Sequence, residues 1–129
     1  MAVKIALDVN RYVDFCDGQE EVVHHLRRAR EIVMPFVTVA ELRAGFRCST
    51  RCERNEAALS RFLQSDRVTV LFPDDGTSHF YARLFVDLKR AGTPIPTNDL
   101  WIASLVLQHD LVLYSRDRHF DLVPSLPRL

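Results

Sequence analysis

The sequence predicts an α/β domain in which helices cover an open, doubly wound and mostly parallel sheet. Short β-branched segments alternate along the chain with segments of helical length, which is the pattern of strand–helix–strand crossover units. The last such segment, LVLY, is apolar throughout, as the central strands of parallel sheets are. With 129 residues, 47% of them hydrophobic, the chain can bury one sizeable core, so we expect a single domain over residues 1–129.

The first part of the chain is predicted to contain two strands and four helices. In chain order the first segments are Val3–Leu7, a short helix to about Phe15, Gln19–Arg30, and the strand Glu31–Phe36, which Pro35 closes. Thr38 is then placed as the N-cap of a helix through VAELRAGF. Thr50 and Glu53 have the T-x-x-E spacing of a capping box, which predicts another helix to about Gln64.

The second part is predicted to contain two strands and two helices. Arg67–Phe72 is the third strand, and it ends at Pro73 and the turn-forming residues Asp74, Asp75 and Gly76. A helix begins at Thr77 or Ser78 and reaches Ala91, where Gly92 and Pro94 stop it. The next helix, Asp99–His109, is apolar on every side and should be buried. Leu111–Tyr114 is the last strand, and we expect an extended surface segment after Phe120.

Four carboxylates are predicted to meet at one edge of this sheet. Asp8 directly follows the first strand, and Asp117 lies three residues after the last. Glu41 is expected in the first turn of the helix that leaves the second strand, and Asp99 begins the helix that leads into the last strand. With right-handed crossovers, all four positions lie at the carboxyl edge of the sheet, where open α/β sheets bind ligands.

The convergence of these acids indicates a metal site. Neighbouring carboxylates repel one another and need a positive partner at neutral pH. Oxygen ligands favour Mg²⁺ or Mn²⁺ over zinc, and such an ion can activate water for attack on a phosphodiester. Asn10, Asn98 and Ser115 are polar neighbours that can hold water or orient the acids. Taken singly, each acid also fits an ordinary helix-dipole, surface or turn role, so the prediction depends on their meeting.

Four separated segments of the chain resemble PIN domains, and in particular the VapC-like toxins of bacterial type II toxin–antitoxin pairs. The segments are ALDVN (6–10), TVAELRAGF (38–46), IPTNDLWIAS (95–104) and LYSRDRHF (113–120), in the order and spacing of that family. The resemblance implies a three-layer α/β/α fold with a central, mostly parallel sheet of four to five strands. It also implies a metal-dependent endoribonuclease that cleaves RNA, forms a homodimer and is neutralised by a small cognate antitoxin.

The resemblance also assigns roles to individual residues. It makes catalytic, metal-binding acids of Asp8, Glu41, Asp99 and Asp117, and it makes Ser115 the small hydroxyl residue near the metal. Two positions depart from the family pattern: Val9 stands where threonine or serine is common, and His119 stands where some relatives have a further acid. The second departure leaves open whether one or two metal ions are held, and we expect a surface role for His119.

A row of arginines is predicted beside Glu41. Arg43, Arg47, Arg51 and Arg54 recur at spacings of four, four and three. If their helices form a hairpin, the row lies at the mouth of the acidic site, where Arg43 and Arg47, with Asn10 and Asn98, are candidate contacts for RNA or for an acidic antitoxin segment. Alternatively the arginines only solvate a helix and are neutralised by Glu53 and Glu56.

Other function classes fit the sequence less well. A catalytically silent PIN-like interaction module would have no use for a destabilising acid cluster. A phosphoacceptor receiver domain needs an acid pair after the first strand and a lysine after the last, but the only lysines, Lys4 and Lys89, are elsewhere. A phosphatase with an aspartyl nucleophile needs D-x-D-x-T, which DVNRY does not match.

Composition limits the surroundings in which this protein works. The formal net charge is zero, so contact with nucleic acid must depend on local charge. The odd cysteine count, Cys16, Cys48 and Cys52, predicts reduced, buried thiols rather than disulfides or a zinc site. There is no apolar run of the about 20 residues that span a bilayer and no leader-like N-terminus, so we expect a cytoplasmic protein without a membrane partner.

Overall fold

Four parallel strands form the central sheet of the computed structural model, which describes residues 3–129. The strands are β1 (Lys4–Leu7), β2 (Glu31–Pro35), β3 (Val68–Leu71) and β4 (Val112–Tyr114), and their spatial order is β3-β2-β1-β4. The connecting helices are α1 (Val9–Cys16), α2 (Glu20–Arg28), α3 (Phe36–Arg47), α4 (Cys52–Leu63), α5 (Asp75–Arg90) and α6 (Thr97–Gln108). The predicted α/β class and parallel sheet are confirmed.

The two faces of the sheet contribute to two separate cores. Side chains alternate along a strand, and in β1 Ile5 and Leu7 pack with residues of α1 to α4, whereas Ala6 packs with residues of α5 and α6. The sheet is therefore the middle layer of a three-layer α/β/α arrangement, as expected.

The strand order places the reversal of the topology between β1 and β4. From β1 the chain builds outward through β2 to β3, and it then returns to the other side of β1 as β4. The backbone N–H of Asp8 donates to the carbonyl of Tyr114 at 3.2 Å, which continues the β1–β4 pairing to the ends of both strands. The segments that follow β1 and β4 are thus neighbours at the position where open α/β sheets bind ligands.

The predicted starts of α3 and α4 are wrong. Pro35 ends β2 and α3 begins at once at Phe36, which was expected to be the last strand residue, because proline supplies no N–H to a ladder and its fixed φ suits a helix start. Thr38 therefore lies inside the helix, buried, rather than at its N-cap. The capping box of Thr50 also fails, since α4 begins at Cys52 with no side-chain cap.

The start of α5 differs from the prediction because Asp74 caps the helix instead of forming a turn. The Asp74 carboxylate accepts the N–H of Thr77 at 3.1 Å, and the Thr77 hydroxyl accepts the N–H of Asp74 at 2.9 Å. Asp74 and Thr77 therefore form a capping box, with Asp74 at the N-cap and Thr77 at position N3. Gln108 also donates to Asp74 at 2.8 Å and ties the end of α6 to the start of α5. Helix α6 is buried as predicted, but it begins two residues earlier, at Thr97.

The segment after Phe120, which was expected to be extended, begins inside a short helix and is extended only near its end, where Arg128 pairs with Leu113. A 3₁₀ helix covers Arg118–Leu122, and Phe120 is fully buried in the core that α5 and α6 share. The chain then returns along β4, where the N–H of Leu113 donates to the carbonyl of Pro127 at 2.9 Å and the N–H of Leu129 donates to that of Leu113 at 3.0 Å. Burial of apolar side chains thus folds this segment against the sheet.

The cysteines are free, but their expected burial is wrong. Cys16 and Cys48 are exposed and Cys52 is half-buried. Cys16 is the last residue of α1, and Cys48 and Cys52 flank the turn between α3 and α4, so all three lie where helices end at the surface. Among residues 3–129 no helix combines the length and apolar character required to cross a membrane.

Candidate active site

Asp8 is fixed at the junction of β1 and α1. It is 5% exposed, its Oδ1 accepts the N–H of Val9 at 2.8 Å, and its Oδ2 accepts the hydroxyl of Ser115 at 2.7 Å. Burial raises the pKa of Asp8 and repulsion from Asp117 raises it further, while the hydrogen bonds from Ser115 and Val9 oppose the shift. Both carboxylate oxygens are held, so the side chain has a defined orientation.

Ser115 links the ends of β1 and β4. Besides donating to Asp8, its buried hydroxyl accepts the N–H of Asp117 at 3.1 Å and the side-chain amide of Asn10 at 3.3 Å. The Asn10 carbonyl oxygen in turn accepts the N–H of Arg116 at 3.3 Å. The structure therefore brings Ser115 and Asn10 to the acids that they were predicted to support.

Asp99 and Asp117 meet around His119. The Nδ1 atom of His119 lies 2.9 Å from Oδ2 of Asp99 and 3.1 Å from Oδ1 of Asp117, and ligand atoms of the three residues lie within 4.8 Å of one another. Burial raises the pKa of Asp99, repulsion from Asp117 adds to this, and the hydrogen bond with His119 opposes it. Only 13% of the Asp99 side chain is exposed, against 51% for His119.

Glu41 completes the group of acids, although it lies in the second turn of α3 rather than the first as expected. The prediction misplaced it because α3 begins before Thr38. Burial raises the pKa of Glu41, and repulsion from Asp8, Asp99 and Asp117 raises it further, while a hydrogen bond with Asn98 opposes the shift. The negative charges of all three other acids thus act on Glu41, and Asn98 lies beside it.

The donor set of this cluster fits a divalent cation. Three of its carboxylates have raised pKa values because they are buried and repel one another, so ionisation is costly without a positive charge. Their oxygens suit Mg²⁺ or Mn²⁺, and the imidazole nitrogen of His119 adds one donor to the expected all-oxygen set. The surface role expected for His119 does not account for its contacts with two of the acids.

The arginine row is not part of the acid cluster. Arg43 makes two hydrogen bonds to Glu56 of α4, at 2.8 and 3.2 Å, so the alternative that a nearby glutamate neutralises it applies to this residue. Arg47 is exposed at the end of α3. The two candidate contacts therefore lie on the α3–α4 hairpin rather than among the acids.

Three residues that sequence reasoning did not single out support the segment carrying Ser115 and Asp117. Arg116 makes two hydrogen bonds to Asp14 of α1, both at 3.1 Å. Arg128 donates to the carbonyl of Ser115 at 2.9 Å and also binds Asp121. Asp14 and Arg116 are 102 residues apart, and no spacing rule would pair them.

Comparisons with known proteins agree on one family. The PIN domain family model matches residues 5–126. Ribonuclease VapC1 of Haemophilus influenzae strain R2866 is 36% identical over 107 residues, which cover 82% of this chain and 78% of the relative. Ribonuclease VapC4 of Mycobacterium tuberculosis is 29% identical over 90 residues, covering 70% and 69%.

Solved structures show the same likeness over nearly the whole fold. VapBC-1 from nontypeable Haemophilus influenzae aligns with a TM-score of 0.86 at 27% identity, covering 98% of this chain and 96% of that one. The family match includes every strand residue except Lys4, and it includes every acid of the cluster. This chain therefore belongs to the PIN domain family.

Proposed function

We propose that this chain is a metal-dependent endoribonuclease toxin of the VapC type, held inactive by a cognate antitoxin. The observation that carries the proposal is the meeting of Asp8, Glu41, Asp99 and Asp117 at the reversal of the sheet topology. Relatives named Ribonuclease VapC1 and VapC4 and a similar VapBC structure support the reaction class and the toxin–antitoxin assignment. RNA is the substrate, and a small antitoxin is the protein partner.

In this proposal the four carboxylates would hold Mg²⁺ or Mn²⁺, with His119 as a further donor. When bound, the cation supplies positive charge that neutralises the acids and polarises both a phosphate oxygen and the attacking water. Asp8 is oriented by Val9 and Ser115, and Asp117 is oriented by the hydrogen bond from its backbone N–H to the Ser115 hydroxyl. Asn98 lies beside Glu41 and lowers its pKa, and the Asn10 side chain holds the backbone of the segment after β4.

The remaining parts of the proposal concern assembly and surroundings. The chain forms a homodimer and works in the cytoplasm. Arg47 of α3 offers positive charge to RNA or to an acidic antitoxin segment, whereas the charge of Arg43 is already compensated by Glu56. A catalytically silent interaction module of the same family is the second candidate. A silent module would not explain why four acids of like charge stay together at this edge of the sheet.

Calorimetric titration of the purified protein with Mn²⁺ tests the metal site. We expect saturable binding that is lost or strongly weakened in Asp8→Asn. Asp87→Asn is the matched control, because it removes an exposed carboxylate from α5 and should leave the affinity unchanged. If the parent does not bind Mn²⁺, or if Asp8→Asn binds it as tightly as the parent, the proposed site is wrong.

A further inference from the structure

An ion pair outside the acid cluster holds the segment that carries Ser115 and Asp117. Arg116 donates from Nε and Nη2 to the two carboxylate oxygens of Asp14, both at 3.1 Å. Arg11 adds a third hydrogen bond to Asp14 at 3.2 Å. The Asp14 side chain is 7% exposed, whereas that of Arg116 is 57% exposed, so the carboxylate is the fixed member of the pair.

Helix α1 contacts both segments that carry acids of the proposed metal site, the end of β1 and the segment after β4. Asp8 caps the start of α1, Asn10 accepts the backbone N–H of Arg116, and Asp14 binds the Arg116 side chain. Arg116 is flanked in the chain by Ser115, which binds Asp8, and by Asp117. Two attachment points on one rigid helix therefore define where Asp117 lies relative to Asp8.

The lowered pKa of Asp14 is consistent with a stable ion pair between Asp14 and Arg116. The hydrogen bond from Arg116 is the largest influence on its pKa and lowers it, and Arg11 adds to this against the effect of burial. A two-bond contact between arginine and a carboxylate has a preferred planar geometry, which a lysine cannot reproduce. The pair thus constrains direction as well as distance.

We propose that Asp14 is a positioning residue for the acid cluster: by holding the Arg116 guanidinium, it sets the place of Asp117 and hence the affinity of the cluster for a divalent cation. This inference rests on the proposed function, because it concerns the same metal site. Asp14 contacts neither cation nor RNA in this scheme, and it acts only through Arg116.

For Arg116, a purely electrostatic effect and a positioning effect predict opposite changes in Mn²⁺ affinity. If Asp14 and Arg116 act on the cation merely as distant charges, removing the positive charge of Arg116 strengthens Mn²⁺ binding, and removing the negative charge of Asp14 weakens it. If the pair positions Asp117, both substitutions weaken binding. The sign of the effect in Arg116→Gln therefore separates positioning from simple attraction.

Mn²⁺ calorimetry on the full chain tests the inference with Asp14→Asn, Arg116→Gln and the double variant. We expect each single variant to bind about tenfold more weakly than the parent, the lower end of the effect of losing a group that orients metal ligands. The double variant should be no weaker than either single variant, because one contact is lost in all three. Glu31→Gln is the control, since its carboxylate also has a pKa lowered by partners but lies at the amino edge of the sheet.

The outcomes are distinct. Unchanged or tighter binding in Arg116→Gln, with the parent binding Mn²⁺, overturns the positioning role and leaves the proposed function intact. Absence of Mn²⁺ binding in the parent refutes the proposed metal site itself. If Arg116→Gln does not fold, Arg116→Lys decides, because it keeps the charge and loses the two-bond contact: weaker binding supports positioning, and equal binding contradicts it.

Discussion

Replacing Ser115 by alanine should weaken divalent-cation binding at the proposed metal site without disturbing the rest of the fold. The Ser115 hydroxyl donates to Asp8 at 2.7 Å and accepts the N–H of Asp117 at 3.1 Å, so one atom joins acids from the first and last strands. The variant leaves the buried Asp8 carboxylate with a single hydrogen bond, from Val9. Its pKa should therefore rise further, because the lost hydrogen bond opposed the effect of burial.

The size of the effect follows from the kind of bond that is lost. A hydrogen bond to a charged group contributes about 1.5–3 kcal/mol to stability. Loss of a group that orients metal ligands lowers metal affinity by about 10–100-fold, equal to about 1.4–2.7 kcal/mol of binding free energy. We expect the Mn²⁺ affinity of Ser115→Ala to fall within this range, as measured by calorimetry on protein shown to be folded by circular dichroism.

Ser104→Ala is the matched control for this experiment. Ser104 is fully buried, and its hydroxyl donates to the carbonyl of Leu100 within α6 at 2.6 Å. The control loses a buried serine hydroxyl but no contact with the acids, so its Mn²⁺ affinity should equal that of the parent. Binding by Ser115→Ala within about twofold of the parent would refute the reasoning, because it would show that the hydroxyl does not orient Asp8.

Three further predictions concern pH, surface charge and packing. In metal-free protein, Glu41→Gln should raise the melting temperature at pH 7, because the raised pKa of Glu41 means that its ionised form destabilises the fold. This gain in melting temperature should shrink as the pH falls towards 4.5, the ordinary pKa of glutamate. A gain that grows on acidification would contradict the prediction. Arg47→Glu should weaken binding of RNA or antitoxin in a salt-dependent manner, and unchanged affinity for both would exclude the α3–α4 hairpin as a contact surface. Ile102→Ala in α6 should lower the free energy of unfolding in urea by about 2–5 kcal/mol, since Ile102 is fully buried, and a loss below about 1 kcal/mol would show that the surrounding core collapses into the cavity.

The sequence was sufficient to predict the order of strands and helices and the edge of the sheet where the acids lie. Strand positions depend on short apolar segments, and a parallel sheet brings the ends of such segments together whatever lies between them. Asp8 and Asp117 could be placed in this way because each closely follows a strand. Glu41 and Asp99 required only the additional assumption that crossovers traverse the sheet once.

Local caps and long-range partners were harder to predict. Pro35 ends β2 and α3 begins at the next residue, which no cap-residue rule anticipates. Asp74 has the sequence context of a turn residue, but it begins a capping box with Thr77. The contacts of His119, Asp14 and Arg128 depend on how the segment after β4 folds back, and that path is set by burial of Phe120. Pairs so distant in the chain carry no local pattern.

RNA cleavage by the purified protein tests the central claim most directly. The assay uses Mg²⁺ or Mn²⁺, a parallel reaction with chelator, and Asp99→Asn, with Asp87→Asn as the control for loss of a carboxylate elsewhere. We predict cleavage by the parent and the control that chelator abolishes, and a loss in Asp99→Asn beyond the roughly 100-fold that outer partners of a metal site contribute. Folded Asp99→Asn that cleaves RNA as fast as the parent, or cleavage that persists in chelator, would contradict the account.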